Sequence, residues 1–430
     1  MKYWCSSVVL VLSLSISAED GFDEGFDDEV IGVVVDQAPD SKGDLYGSIE
    51  VEAHYNVSNE KDLSSLKTLV DILGEYKFDN GAKLSGNLKG YRDFVYELEN
   101  RSVPEGYETE IDLNELNIEL EIFQNLDFKA GRQVVVWGKS DSIRITDILN
   151  PLDNRTPGLV DIKNLRLGRT MSKLDYYMND LNLSVIALHE NRFSKNPRKD
   201  SDFSSLPIGA NDFLIIQPTD SLDNTTFAMS LNGAFEGYDL GFYFADTYVD
   251  KPYLVENNTT LKYDNKSKML GFAYNQVVDS FLLKTEIAHF DNINYNNVND
   301  NKARTDLLLG VEYSGIRDGS ISYEIALRKI HDYEDLINHV LNGYKPEKEY
   351  QQALRFNQSY LNQTLDFNAV FSVFGNTGQD GGTVRFELDY AVDDQISVSA
   401  GVIDYLPGDN LTIDSFKDND RIFTKLSYGF

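Results

Sequence analysis

Cysteine is almost missing. The only one, Cys5, falls within MKYWCSSVVLVLSLSISA, which carries one positive residue, Lys2, then an apolar run from Val8 to Leu14 and a small-residue end before Glu19 and Asp20. That pattern predicts a secretory leader over residues 1–18. Cys5 precedes the apolar run, so it is not the lipid-modified cysteine of a lipoprotein. An exported chain without cysteine has no disulfides, and its stability must come from a large core or from a membrane. Long apolar runs are missing too. Beyond the leader none reaches the ~18 residues of a spanning helix, which excludes a helical inner-membrane protein. Positive charge is scarce: 39 Lys and Arg stand against 70 Asp and Glu, a net charge of −31. That balance argues against nucleic acid as a partner and against bulk attraction to anionic lipid.

What is present is aromatic residues, 25 Tyr and 24 Phe, and a period-two pattern that starts near Leu45 and continues to the last residue. Leu116, Ile118, Leu120 and Ile122 alternate with Glu115, Asn117, Glu119 and Glu121. Val384, Phe386, Leu388 and Tyr390 alternate with Thr383, Arg385, Glu387 and Asp389. Such segments are strands with one apolar and one polar side. Tight connections such as Gln124-Asn125, Asn179-Asp180 and Glu236-Gly237 alternate with long ones such as 98–109, 138–169 and 194–221. The expected fold is all-β, a transmembrane antiparallel up-and-down β-barrel of about 18 strands, or about 16 as the other even count. It would occupy residues 45–430, after an acidic periplasmic tail over 19–44, with both ends in the periplasm of a Gram-negative bacterium.

The final RIFTKLSYGF sets Ile422, Thr424, Leu426, Tyr428 and the terminal Phe430 on one parity. Tyr428 and Phe430 resemble the aromatic end that outer-membrane proteins present to the barrel assembly machinery. Outer-membrane lipid and lipopolysaccharide are the other expected partners.

One stretch breaks the alternation, Gly131 to Gly158, GRQVVVWGKSDSIRITDILNPLDNRTPG. It groups Arg132, Trp137, Lys139, Asp141, Arg144, Asp147, Asn150, Asp153 and Arg155, with Arg166 and Arg169 close behind. A connection over 138–169 without strand pattern has two readings: a loop folded into the lumen as a constriction, or an outer loop held by surface ion pairs. The inward acids Glu50, Glu52, Glu115, Glu119, Glu121, Glu312, Glu324, Glu387 and Asp389 would keep the lumen wet and tune its selectivity.

The same stretch carries a resemblance. WGKSDSIRITDILNPLD, with WG-x-x-D followed by D-x-x-NP, is similar to the hallmark of a large family of proteobacterial outer-membrane β-barrel proteins known only as a domain of unknown function. The resemblance implies the barrel and the compartment. It also implies a periplasmic carrier protein and an exporter of the resistance-nodulation-division class as partners, and so traffic in a hydrophobic or lipid-like molecule.

Enzyme signals are poor. Gly138-Lys139-Ser140 mimics the end of a phosphate loop, but Gln133 stands where its first glycine belongs. His189-Glu190 opens like a zinc-protease motif, but Phe193 replaces the second histidine. His54, on an inward parity beside Glu50 and Glu52, reads as a satisfied lumen histidine rather than the base of a barrel hydrolase. The chain is thus expected to be a non-enzymatic porin-like channel without metal or cofactor, passing a solute or a hydrophobic molecule. The alternatives are an export conduit for lipid or polymer working with a periplasmic carrier, and a structural or adhesive surface barrel without transport.

Overall fold

The computed structural model describes residues 42–58, 61–204, 214–255, 260–338 and 345–430. The expected leader and almost all of the expected acidic tail lie outside the described residues. Eighteen antiparallel strands form one sheet that closes on itself. They are β1 Gly43–Asn56, β2 Leu63–Lys77, β3 Lys83–Asp93, β4 Thr109–Phe123, β5 Leu126–Gln133, β6 Arg169–Met178, β7 Leu181–Leu188, β8 Thr226–Phe235 and β9 Tyr238–Tyr248. The other half is β10 Lys266–Val278, β11 Phe281–Ile293, β12 Lys302–Ile316, β13 Gly319–Ile330, β14 Lys348–Tyr360, β15 Leu365–Phe374, β16 Gly382–Ala391, β17 Ile396–Leu406 and β18 Arg421–Gly429.

Each strand pairs with its neighbours in sequence. The circle is completed where β18 meets β1, with Ser48 opposite Gly429 and Asn56 opposite Arg421. Phe430 then exchanges two backbone hydrogen bonds with Gly47, at 2.9 and 3.0 Å. Closure leaves no free edge, so every strand has its ladder partners without water, the condition for crossing a bilayer.

The alternation sets which side faces out. On β1, Ile49, Val51 and Tyr55 are exposed on the outer face, while Glu50, Glu52, His54 and Asn56 face the lumen. The same division holds on β11, with Phe281, Leu283 and Ile287 outward and Lys284, Glu286 and Ala288 inward and buried. An apolar belt around a polar interior is the architecture of an outer-membrane protein.

The tight turns share the end of the barrel that holds both chain termini. Several place a residue in the left-handed region that twisted two-residue hairpins require: Asn179 (φ 52°), Gly237 (φ 80°), Asp279 (φ 52°) and Asp318 (φ 55°).

One irregularity matters for what faces the lumen. Opposite β3, the register jumps from Glu115 to Leu113, so Asn114 forms a bulge. The extra residue reverses parity. Glu110 and Asp112 therefore point inward like Glu115, and Ile111 and Leu113 point outward, both exposed on the belt.

Candidate functional site

Residues 134–168, between β5 and β6, do not stay at the mouth; they cross the bore and are fastened to walls on several sides. The crossing begins with Trp137, buried and stacked on Tyr243 of β9 with ring centroids 5.0 Å apart. Gly138 follows in the left-handed region at φ 88°, and a Cβ there would meet Glu286 Oε1 and Thr146 Oγ1 at 2.7 Å. Only glycine fits that position without displacing its neighbours.

Two strand carboxylates hold the next turn. Glu286 of β11, 1% exposed, accepts the backbone N–H of Lys139 at 2.6 Å and of Ser140 at 2.8 Å. It also accepts the N–H of Thr146 at 3.1 Å and its hydroxyl at 2.8 Å. Glu324 of β13 accepts the Ser140 hydroxyl at 2.6 Å and the N–H groups of Asp141 and Ser142 at 3.0 and 3.1 Å. Between them Lys284 pairs with Asp141 and lies 3.5 Å from Glu312. Buried carboxylates are tolerated only when so many donors satisfy them.

The underside of the crossing is apolar. Ile143, Ile145 and Leu149 are buried against Met171, Ile186 and Leu188 and against Ala228, Ala245, Ala273, Ala288, Ala326 and Ala353 of the surrounding strands. Those alanines are inward-facing, and their small side chains leave the room that the crossing fills.

The far part reaches two other walls. Arg155 pairs with Glu110 of β4 and with Asp153, each at 2.5 Å, and donates to the hydroxyl of Tyr91 on β3 at 3.1 Å. Asp161 pairs with Arg385 of β16 and with Arg355 of β14, the latter at 3.1 Å. Tyr405 of β17 donates its hydroxyl to Pro157 O at 2.7 Å, and Arg385 donates to Leu159 O at 2.7 Å. A second apolar cluster, Leu159 with Phe203, Ile403, Tyr405, Phe416 and Phe423, closes this side. Burial opposes ionisation of Asp161, but Arg385 and Arg355 more than offset it and hold the carboxyl down at about 2. Arg155 likewise overcomes burial to keep Asp153 below the usual carboxylate range.

Inside the crossing, Asp147 receives Arg144 at 3.1 Å and Arg166 at 2.9 Å. Asn150 accepts from Val135 N at 2.8 Å and donates to Leu167 O at 2.9 Å, tying entry to exit. Arg169, at the head of β6, donates to Leu149 O at 3.1 Å and Glu190 O at 2.8 Å. Gly168 lies 1.9 Å, at its ideal Cβ position, from Asn114 O, so the exit passes against the β4 bulge where no side chain fits. Of the WG-x-x-D and D-x-x-NP residues, Trp137 and Asp141 tie the segment to β9 and β11, and Asp147 and Asn150 tie it to itself.

Of the residues singled out in the sequence, Trp137, Lys139, Asp141, Arg144, Asp147, Asn150, Arg155, Arg166 and Arg169 come together in or beside the crossing. Arg132 does not. It lies opposite Leu116 on the outward parity of the wall and pairs with Glu190 at 2.5 Å, so it faces away from the bore. The lumen acids are distributed along the wall: Glu387 lies 2.8 Å from Lys425, Glu50 accepts from Ser427 at 2.9 Å, Glu52 lies 3.8 Å from Lys67, Glu119 lies 3.8 Å from Lys129, and Asp389 accepts from Ser399. Glu115 accepts weakly from Val134 N at 3.4 Å, and Glu121 is exposed at the tight-turn end. His54 lies 3.5 Å from Glu52 and beside the Phe423 ring.

Glu286, Asp161 and Arg355 were not singled out by sequence reasoning. No local motif marks them, but the run of inward alanines on successive strands is a readable sign that something occupies the bore.

The family model described as "Protein of unknown function (DUF1302)" matches residues 50–430, and the chain belongs to that family. No curated relative matches by sequence. Among solved structures, the chain is similar to OccAB2 of Acinetobacter baumannii, with a TM-score of 0.54 at 9% identity over 90% of this chain and 98% of that one. It is also similar to OccK8 (OprE) of Pseudomonas aeruginosa, with a TM-score of 0.52 at 12% identity over 90% and 98%. OpdK of Pseudomonas aeruginosa, solved with vanillate, gives a TM-score of 0.51 at 11% identity over 90% and 98%. At these identities the likeness is one of fold.

Proposed function

We propose that this protein is a channel of the outer membrane that passes a polar solute through the part of its bore left open by residues 134–168, which act as a constriction. The observation that carries the reading is the fastening of that segment across the lumen by Glu286, Glu324 and Asp161, three carboxylates each held by several donors or by two arginines. A barrel whose only task was to anchor surface loops would gain nothing from charged groups arranged across its interior. A hydrophobic cargo would need an apolar path. The inward faces outside the packed clusters instead carry Glu50, Glu52, Lys67, Glu387 and Lys425, which favours a polar one. The likeness in fold to proteins named Occ supports a barrel of this size and shape.

The test is single-channel conductance of the refolded protein in planar bilayers. The native protein conducts, and deletion of residues 141–156 raises the conductance. Glu286→Ala with Glu324→Ala, which leaves the chain length unchanged, raises it too. A protein silent in all three forms is not a channel, and an unchanged conductance in the two variants removes the constriction role.

A further inference from the structure

On the outer face, one row of polar residues borders the apolar belt across β11, β12, β13 and β14. The register sets His289 opposite Thr305, Thr305 opposite Lys329, and Lys329 opposite Lys348. All four share the outward parity of the belt, His289 with Ile287, Thr305 with Leu307, Lys329 with Leu327 and Lys348 with Tyr350. On one side of the row the belt runs on through Leu307, Leu309 and Val311 of β12 and Ile321 and Tyr323 of β13, all exposed. From Phe281 to His289, and from Ile321 to Lys329, a tilted strand climbs roughly 20 Å, about the height of such a belt. The row therefore stands at the membrane interface, at the end of the barrel that carries the long connections.

Lys329 and Lys348 are like charges placed face to face, their side chains starting about 5 Å apart. Such a pair destabilises a ladder unless something neutralises it. The acids next to the row in sequence, Asp291, Asp332 and Glu347, form no ion pair with either lysine, and neither lysine has another among the described residues. Beside them, Thr305 Oγ1 lies 2.9 Å from His289 Nδ1 and 2.7 Å from His331 Nε2. Two neutral imidazoles and one hydroxyl carry three polar hydrogens but form only these two hydrogen bonds, so the trio keeps a donor to spare. Two unpaired ammonium groups and a spare donor on adjacent strands make a place for an anion. Near the same end of β9 and β17 the outward places go instead to Asp246 and Asp404.

We infer that Lys329 and Lys348, with the His289–Thr305–His331 trio, form a seat for the phosphate of a lipid headgroup in the outer leaflet. A phosphate between the two lysines replaces their repulsion by two charge-assisted contacts and accepts the donor left over by the trio. The acyl chains attached to it lie along Ile287, Leu307 and Leu327, the belt residues next to the row on the same strands. A free phosphate gains the contacts but not the apolar surface, so the lipid is the tighter ligand. The strong net negative charge of the chain repels anionic lipid in general, which confines its binding to this row. The inference concerns the outer face and does not use the channel reading.

The test is native mass spectrometry of the refolded, full-length protein in neutral detergent, titrated with lipid A carrying two phosphates, with diacylglycerol and with inorganic phosphate. Lipid A binds, diacylglycerol does not, and inorganic phosphate competes only at far higher concentration. Lys329→Gln and Lys348→Gln each weaken lipid A binding by about tenfold or more, while Lys417→Gln, in the loop before β18, leaves it unchanged. In detergent without lipid the same two variants raise the melting temperature, because the facing charges are gone; lysines with a merely structural role would not give that rise. Lys348 is exposed and without an ion pair, so its replacement does not threaten folding; a circular dichroism spectrum checks this. Undiminished lipid A binding by both variants, or equal binding of lipid A and diacylglycerol by the native protein, overturns the seat. Inorganic phosphate that binds as tightly as lipid A overturns the lipid as its occupant.

Discussion

The carboxylate of Glu286 accepts the backbone N–H of Lys139 at 2.6 Å, although the two residues are 147 positions apart in the chain. With three further donors on the same carboxylate, it fastens the turn from Lys139 to Thr146 to the wall, beside the donors that Glu324 accepts.

Replacing Glu286 by alanine leaves those donors without their shared acceptor. Hydrogen bonds to a charged group are worth about 1.5–3 kcal/mol each, and a loss on the order of 3 kcal/mol is expected for the docked segment. Limited proteolysis should then cut within residues 138–146 in Glu286→Ala but not in the native protein. Glu286→Gln, which keeps an acceptor oxygen, should fall between them.

Gly138→Ala places a methyl group at 2.7 Å from Glu286 and Thr146 and forces a non-glycine residue to φ 88°. The backbone strain alone costs about 1–3 kcal/mol. The expected result is the same protease cut as in Glu286→Ala, with the barrel still intact by circular dichroism. An Ala variant that stays uncut would show that the turn is not held as described.

Asp161 supplies a pH dependence. Its folded-state pKa of about 2 lies below the ordinary value near about 4, so its contribution is complete above about pH 4 and disappears as the pH falls through about 2. The shift corresponds to on the order of 2 kcal/mol. Acid titration of native channels between about pH 4 and pH 2 should therefore show added current noise as residues 157–161 detach. Asp161→Asn should show that noise already at neutral pH, with no further change on acidification.

Removing Phe430 takes away both backbone hydrogen bonds to Gly47 that finish the closing seam. Refolding yield, read as the fraction of protein that migrates in its compact form in unheated gel electrophoresis, should drop severalfold. Phe430→Ala keeps the backbone pair, so a comparable drop there would assign the effect to the aromatic ring rather than to the seam hydrogen bonds.

Much of the barrel was legible because one physical rule, apolar outward and polar inward, repeats in every strand. The pattern expected from near Leu45 begins at Gly43, and the tight connections expected at Gln124-Asn125, Asn179-Asp180 and Glu236-Gly237 separate β4 from β5, β6 from β7 and β8 from β9. The bulge at Asn114 was also readable in principle: the apolar parity changes from Ile111 and Leu113 to Leu116 and Ile118, which no regular strand permits. The path of residues 134–168 was not readable, and both readings of it stayed open. Its fastenings, Glu286, Glu324, Arg355 and Arg385, are inward polar residues like any other until the strands that carry them curve round to face Lys139, Ser140 and Asp161. Arg132 shows the reverse problem, since its place in the sequence cluster says nothing of the outward parity that pairs it with Glu190.

The order of the fastenings along the chain has a consequence for assembly. The crossing segment precedes β11, β13, β14 and β16, which carry the groups that hold it. Arg155 can already meet Tyr91 of β3 and Glu110 of β4, but the turn from Lys139 to Thr146 and the carboxylate of Asp161 find their partners only on strands laid down later. The two ends of the segment's hold on the cylinder thus come from opposite parts of the chain, so its final seat needs the whole wall.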